Sequence, residues 1–450
     1  MILERDSYLN ILIIGNGFDL SHFLPTKYDH FMAVMRSIEE CSPTRDMYFE
    51  DIFKYALITD KSFLEQTKNY YNNENIKITK SMVKEIKSEL KANCWYQYFS
   101  VHSKEVKTWI DFEQKIEEAL LLVADALKKI DDKYALYGKF DFCAYSIDRG
   151  SDYYFFSKLH LQLLSCLGLI NSISSSETEK WSDGRLSKSF FTVKDEEKFG
   201  FNHTKFLSAL QTNLNKFIDL FNWYIQLIIH KLEPIQKFHF NESNIFNTVF
   251  SFNYTHTYEK IYGNKIDIKY LHGKSGETHN LVLGISEITN DSLKKLKMYG
   301  FTKYHQKLLK DTHYLFLNEI DEIKDYNLQI SELEKTQSDL NLRYMVAKDR
   351  TFLVKKIAEI EDKIKKFTLN IHIWGHSLDV SDADYINEIF DFNNNRDDNV
   401  RVTVYYFNEA AKFDLLANLI HILKKDKVER WMKNGWLEFY KNPTLEFIPS

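Results

Sequence analysis

An unbroken apolar run, Ile11-Leu12-Ile13-Ile14, stops on Gly15-Asn16-Gly17 near the start of a 450-residue chain. A strand without polar alternation has both faces buried, which points to a parallel sheet flanked by helices. A glycine pair directly after such a strand lets backbone approach closely, and a helix beginning there aims its N–H groups at an anion. The third glycine of the dinucleotide fingerprint is absent, because Phe18, Asp19 and Leu20 follow Gly17. A tight turn that needs glycine dihedrals accounts for the pair equally well.

Further short apolar runs, rich in β-branched or aromatic residues, stand at "NTVFSFNY" around Val249, "KIDIKYLHG" ending at Gly273, "NLVLGI" around Leu283, "LNIHIWGHS" around Ile373 and "VRVTVYYF" around Val404. Between Asp51 and Phe240 the periodicity is helical. Phe112, Ile116, Leu120, Val123 and Leu127 form one stripe, and Leu207, Leu210, Leu214, Phe217 and Phe221 a second. The pattern predicts an α/β fold, a Rossmann-like parallel sheet with large helical insertions. Residues 1–50, 241–317 and 368–450 are expected to make the core, 51–240 a helical insertion, and 318–367 a charged helical hairpin with an apolar stripe at Val354, Ile357, Ile360 and Ile364.

The net charge of −5 leaves no one-sided basic face of the kind that tracks nucleic acid. Cys41, Cys94, Cys143 and Cys166 lie far apart without a CxxC pair, which argues against a zinc module and a disulfide framework. The longest apolar stretch, from Phe217, is too short and too interrupted for a membrane span. Reduced thiols, and an N-terminus without a basic, cleavable leader, predict a cytoplasmic protein with no membrane partner.

Three other strand ends carry polar groups: Asn253 in "FSFNYTHTYEKIY", His272 in "IKYLHG", and Gly375 followed by His376, Ser377, Asp379, Asp382 and Asp384 in "IHIWGHSLDVSDADY". Taken singly, Asn253 reads as a helix cap, His272 as a core-edge histidine, and Asp19 and Asp382 as helix-start carboxylates. Taken together, they fall where an open parallel sheet binds its ligand, beyond the carboxyl ends of the strands.

The segments "ILIIGNGFDLSHFLPTKYDHF", "WIDFEQKIEEAL", "FNYTHTYEKIY…LHG", "FTKYHQ" and "GHSLDVSDADYI", in that order, resemble the bacteriophage abortive-infection AbiH family. The resemblance implies antiphage defence in bacteria by arrest or death of the infected cell. The same motifs are distantly similar to sirtuin-like NAD-consuming domains, whose pattern runs GAGxS, GIP, TxNxD, His-Gly and a late GxS. Gly15 and Gly17 then fall on the first glycines, Pro25 on the proline, Asn253 on the asparagine, His272 and Gly273 on His-Gly, and Gly375 with Ser377 on the late motif. Asn16, Asp19, Phe23 and Thr255 depart from that pattern, and the cysteine-rich zinc module is missing, so protein deacylation is not expected.

This second resemblance implies NAD as substrate, cleaved to ADP-ribose and nicotinamide with no metal. Asn253 would position the ribose or the water, and His272 would act as general base. Gly15, Asn16, Gly17, Phe18, Asp19, Pro25, Thr255, Gly273, Gly375, His376, Ser377 and Asp382 would line the nucleotide. A carboxylate at Asp19 would repel a pyrophosphate unless it faces a ribose hydroxyl or a metal. Two alternatives stay open: a metal-dependent phosphohydrolase or nuclease using Asp19, His22, His272, His376, Asp379 and Asp382, and a non-catalytic nucleotide-binding sensor. A phage-derived trigger and a homo-oligomer are the partners such a protein invites, with the insertions as places for restraint.

Overall fold

The apolar run at Ile11 forms strand β1 (Ser7–Ile14) at the middle of a six-stranded, all-parallel sheet. The other strands are β2 (Thr248–Ser251), β3 (Asp267–Tyr270), β4 (Phe367–Trp374), β5 (Val400–Tyr406) and β6 (Leu437–Lys441). Their spatial order is β3-β2-β1-β4-β5-β6. This is the order of doubly wound dinucleotide-binding sheets, whose switch point lies between β1 and β4. The computed structural model describes residues 7–42, 44–103, 105–106, 108–137, 156–176, 181–195, 198–240, 246–263, 265–313, 316–317, 325, 329–336, 347–365, 367–393 and 397–448.

Alternate side chains of β1 enter two different cores, which is why the run carries no polar residue. Ile11 and Ile13 pack with Phe250, Ile371, Ile373, Val402, Val404, Leu419 and Trp431 on one face. Leu12 and Ile14 pack with Phe18, Val249, Tyr258 and Trp374 on the other. Each fully buried aliphatic side chain contributes about 1.5–3 kcal/mol. A one-residue slip would exchange the two faces, so the register is firmly set.

That register brings the strand ends level. Ile14 pairs with Ser251 of β2 and with Trp374 of β4, Ser251 pairs with Tyr270 of β3, and Trp374 pairs with Tyr405 of β5. The turns after β1, β2, β3 and β4 therefore leave the sheet from a single rung.

The chain divides into two compact units: Met1–His22, Gln236–His272 and Thr312–Ser450 form the first, and Phe23–Ile235 with Gly273–Asp311 the second. The whole parallel sheet lies in the first. The second is built on the helices Trp109–Tyr137 and His203–Leu227. Phe112, Ile116, Leu120, Val123 and Leu127 of the expected stripe are all buried, and Phe112 stacks on Phe217 at 5.6 Å. Asn202 starts the second helix by accepting the Lys205 N–H at 2.9 Å.

The structure departs from the sequence pattern in three places. "NLVLGI" is not a strand: Leu281, Val282 and Leu283 are buried in irregular backbone, and Ile285 makes one isolated bridge to Thr302. The central insertion is not purely helical, for it holds the antiparallel pairs Ile170–Ser176 with Trp181–Leu186 and Phe191–Asp195 with Lys198–Phe201. Strand β6 has alternating polar residues suited to a sheet edge and shows no apolar run. Of the expected hairpin, residues 318–324, 326–328, 337–346 and 366 lie outside the described residues. Its second arm is the helix Ala347–Lys365, where Ile357 and Ile360 pack against Ile330 and Leu333.

Candidate functional site

The turn after β1 opens directly into the helix Asn16–Ser21, with Gly15 as its N-cap. The Gly15 N–H donates to Trp374 O at 3.1 Å and the Gly17 N–H to Gly375 O at 2.8 Å. A Cβ on Gly15 would stand 2.6 Å from Gly375 O, and one on Gly17 would stand 2.7 Å from Gly375 Cα. Gly375 itself has φ +73°, and its Cβ would run into the Phe18 backbone N. The three glycines thus let the turns after β1 and β4 close on one another, and both glycine N–H groups of the first turn are engaged by backbone carbonyls. Asn16 is half-buried, while the Phe18 ring sits in the core, 5.0 Å edge-on to Trp374.

Chain leaving β2 turns on Ser251, whose hydroxyl accepts the Asn253 N–H at 3.1 Å. Asn253 is buried, and its amide donates to Gly15 O at 2.9 Å. It does not cap the following helix, Thr257–Tyr262, whose N-cap is His256. The Thr255 hydroxyl donates to Asp19 Oδ2 at 2.6 Å and in turn accepts from the Thr257 hydroxyl at 3.0 Å. Asp19 is 1% exposed, and burial pushes its carboxyl up to about 6 against the pull of Thr255, Thr257 and Asn253.

A second cluster forms at the ends of β3 and β4. Asp382 is the N-cap residue of the helix Ala383–Phe390 but makes no capping bond. Its carboxylate instead lies 3.3 Å from His272 Nε2 and 3.5 Å from His376 Nε2. All three side chains are buried. His376 Nδ1 accepts the Leu378 N–H at 3.0 Å, so in the neutral ring the proton sits on Nε2, toward Asp382. Leu378 reaches that position with φ +52°, a left-handed conformation that a bulky residue rarely adopts. Phe252 packs edge-on to His272 at 5.1 Å, to His376 at 4.2 Å and to Tyr385 at 5.2 Å. Burial and the carboxylates of Asp382 and Asp384 raise the Tyr385 phenol.

Of the sequence-derived residues, Gly15, Asn16, Gly17, Asp19, Asn253, Thr255, His272, Gly375, His376 and Asp382 gather at this one edge of the first unit. Ser377 is exposed, and its carbonyl accepts from Asn418 at 3.0 Å. Pro25 and Gly273 belong to the second unit, where the Pro25 carbonyl accepts from the Tyr224 hydroxyl and Gly273 adopts φ +83° against Asn280. Of the six proposed metal ligands, His272, His376 and Asp382 come together, whereas Asp19, His22 and Asp379 have other partners. His22 Nδ1–H donates to Phe18 O at 2.8 Å while Nε2 accepts from Tyr262 at 2.6 Å, and burial pushes the ring down to about 4. Asp379 accepts the Ser381 N–H at 3.0 Å. Among the described residues no group of three or more His, Cys, Asp or Glu is arranged to hold a metal ion. Sequence reading missed Phe252, Thr257, Leu378 and Tyr385, which carry no motif of their own and act through packing or backbone shape.

No helix among the described residues is long and apolar enough to cross a membrane. A family model described as bacteriophage abortive infection AbiH matches residues 11–406. No curated protein and no solved structure matches the chain.

Proposed function

The chain belongs to the bacteriophage abortive-infection AbiH family, and from that premise we propose that it is an antiphage effector that hydrolyses NAD to ADP-ribose and nicotinamide. The observation that carries the reading is the common rung: Ile14, Ser251, Tyr270 and Trp374 end level, and an amide, an imidazole pair and two carboxylates follow them. This is the edge at which open α/β sheets receive nucleotides.

In hydrolysis the bond between ribose C1′ and the pyridinium nitrogen breaks, and its electron pair leaves on the nitrogen of neutral nicotinamide. Water oxygen bonds to C1′, and the water proton passes to a base. His272 is that base. Asp382 beside Nε2 favours the proton there, leaving Nδ1 as the basic nitrogen, and it stabilises the imidazolium that forms. Asn253 serves as a neutral positioner, held by its bond to Gly15 O. The glycine turns hold the ends of β1 and β4 together, which sets the spacing of the groups that follow them. The same groups are buried, which fits an effector held quiescent until a phage-derived trigger arrives.

Purified protein incubated with NAD and lysate from infected cells, with products read by chromatography, tests the proposal. Nicotinamide and ADP-ribose should appear in equal amounts, and His272→Ala should slow them by about 10²–10⁴-fold at a temperature where the variant is still folded. Loss of ATP or nucleic acid with NAD intact would replace this reading with a phosphohydrolase.

A further inference from the structure

Asp19 is a buried carboxylate that accepts from the Thr255 hydroxyl at 2.6 Å and has only neutral donors beside it, Thr255, Thr257 and Asn253. Among the described residues no Lys, Arg or His lies within ion-pair distance of it, and its second oxygen, Oδ1, is buried with no hydrogen-bond partner. Burial raises its carboxyl to about 6, so at neutral pH it is ionised at a cost to stability. Chains rarely keep such a group unless a ligand answers it.

A phosphate cannot be that ligand. Two negative charges at contact distance in a low-dielectric site repel strongly. The N–H groups of Gly15 and Gly17 that would offset the phosphate charge already donate to Trp374 O and Gly375 O. The turn after β1 therefore has the charge of a cation site, although its sequence has the glycines of an anion site.

We propose that Asp19 receives the positively charged pyridinium-ribose end of the dinucleotide, and that the pyrophosphate lies elsewhere. The inference rests on the NAD reading and fixes which end of that substrate faces the helix Asn16–Ser21. During cleavage positive charge moves from the ring nitrogen to the ribosyl carbon, so one carboxylate serves ground state and transition state. Asn253 and Thr255 hold it from the β2 side.

Calorimetry on the full chain, with nicotinamide mononucleotide, its uncharged dihydro form and ADP-ribose as probes, tests the assignment. The wild type should bind the cationic mononucleotide at least about tenfold more tightly than the dihydro form, a difference of about 1.4 kcal/mol. Asp19→Asn should abolish that preference and leave ADP-ribose affinity within about threefold. Equal affinity of the wild type for the two mononucleotides, no binding of either, or equal loss of all three probes in Asp19→Asn would overturn the proposal. So would Mn²⁺ binding that disappears in Asp19→Asn. The comparison of the two mononucleotides needs no variant and stands even if Asp19→Asn folds poorly. Charge-selective binding without NAD turnover would sink the hydrolytic reading alone and keep this one.

Discussion

Asp19, after β1, and Asp382, after β4, are buried carboxylates at one edge of the sheet, and their surroundings are opposite. Asp382 lies between two imidazoles at 3.3 and 3.5 Å, one of them fixed in tautomer by a backbone N–H. Asp19 has threonine hydroxyls and an amide but no cation among the described residues. A carboxylate between imidazoles is compensated within the chain and can orient a base. A carboxylate supplied only with neutral donors stays a source of negative potential for whatever enters. The difference separates two roles that the sequence presents as interchangeable helix-start aspartates.

The largest expected effect tests the close approach that sets both carboxylates in place. Gly375→Ala adds a side chain at φ +73° directly against the Phe18 backbone. It should cost about 4 kcal/mol or more and leave little folded protein in a urea melt. A variant with near-native stability would show that the two turns are not locked together.

Next is the base side of the comparison. Asp382→Asn removes the charge beside His272 and should reduce NAD hydrolysis by about 10²-fold. Nicotinamide mononucleotide affinity should stay within a few-fold. If affinity falls in step with rate, Asp382 binds substrate and does not orient the base.

On the other side, Asp19→Asn should stabilise the protein at pH 7, by up to about 3 kcal/mol from the rise of the carboxyl from 3.8 to about 6. The folded chain holds that proton more tightly than the unfolded chain. Wild-type stability contributed by this group is therefore present below pH 4 and lost as pH rises through about 6. Melts of the two proteins should converge on acidification and diverge toward neutrality. Parallel curves across that range would mean that Asp19 titrates normally.

The smallest effect sharpens the picture of the hydroxyl donors. Thr255→Val should destabilise the wild type by about 1–2 kcal/mol and the Asp19→Asn protein by about 1 kcal/mol less, measured as a double-mutant cycle. Equal losses in both backgrounds would mean that the 2.6 Å bond is not energetically coupled to the charge.

The central strands were legible because buried strands are rich in β-branched and aromatic residues: Ile11–Ile14 is an unbroken apolar run, Thr248–Ser251 is buried throughout, and Phe367–Trp374 and Val400–Tyr406 interleave apolar with polar residues. Leu281–Leu283 looks the same and is buried, yet forms no strand, because burial and sheet pairing leave one signature. The edge strand Leu437–Lys441 hides among charged residues for the converse reason. Strand-end chemistry was visible as residue types but not as pairings. The Thr255–Asp19 bond joins positions 236 apart, and nothing local to either announces the other. The glycines of the first turn suit a ligand or a tight turn equally in the sequence, and the structure adds that they make room for Gly375. The only clue in the sequence was a second glycine, at another strand end, that also needed a partner.

NAD consumption at this edge of the sheet is the proposal on which the other roles depend. The most direct measurement is cellular NAD after phage infection in bacteria carrying the wild type or His272→Ala. NAD should fall before lysis, and the infection abort, only with the wild type. Aborted infection with NAD undiminished, or equal NAD loss with the imidazole removed, would contradict it.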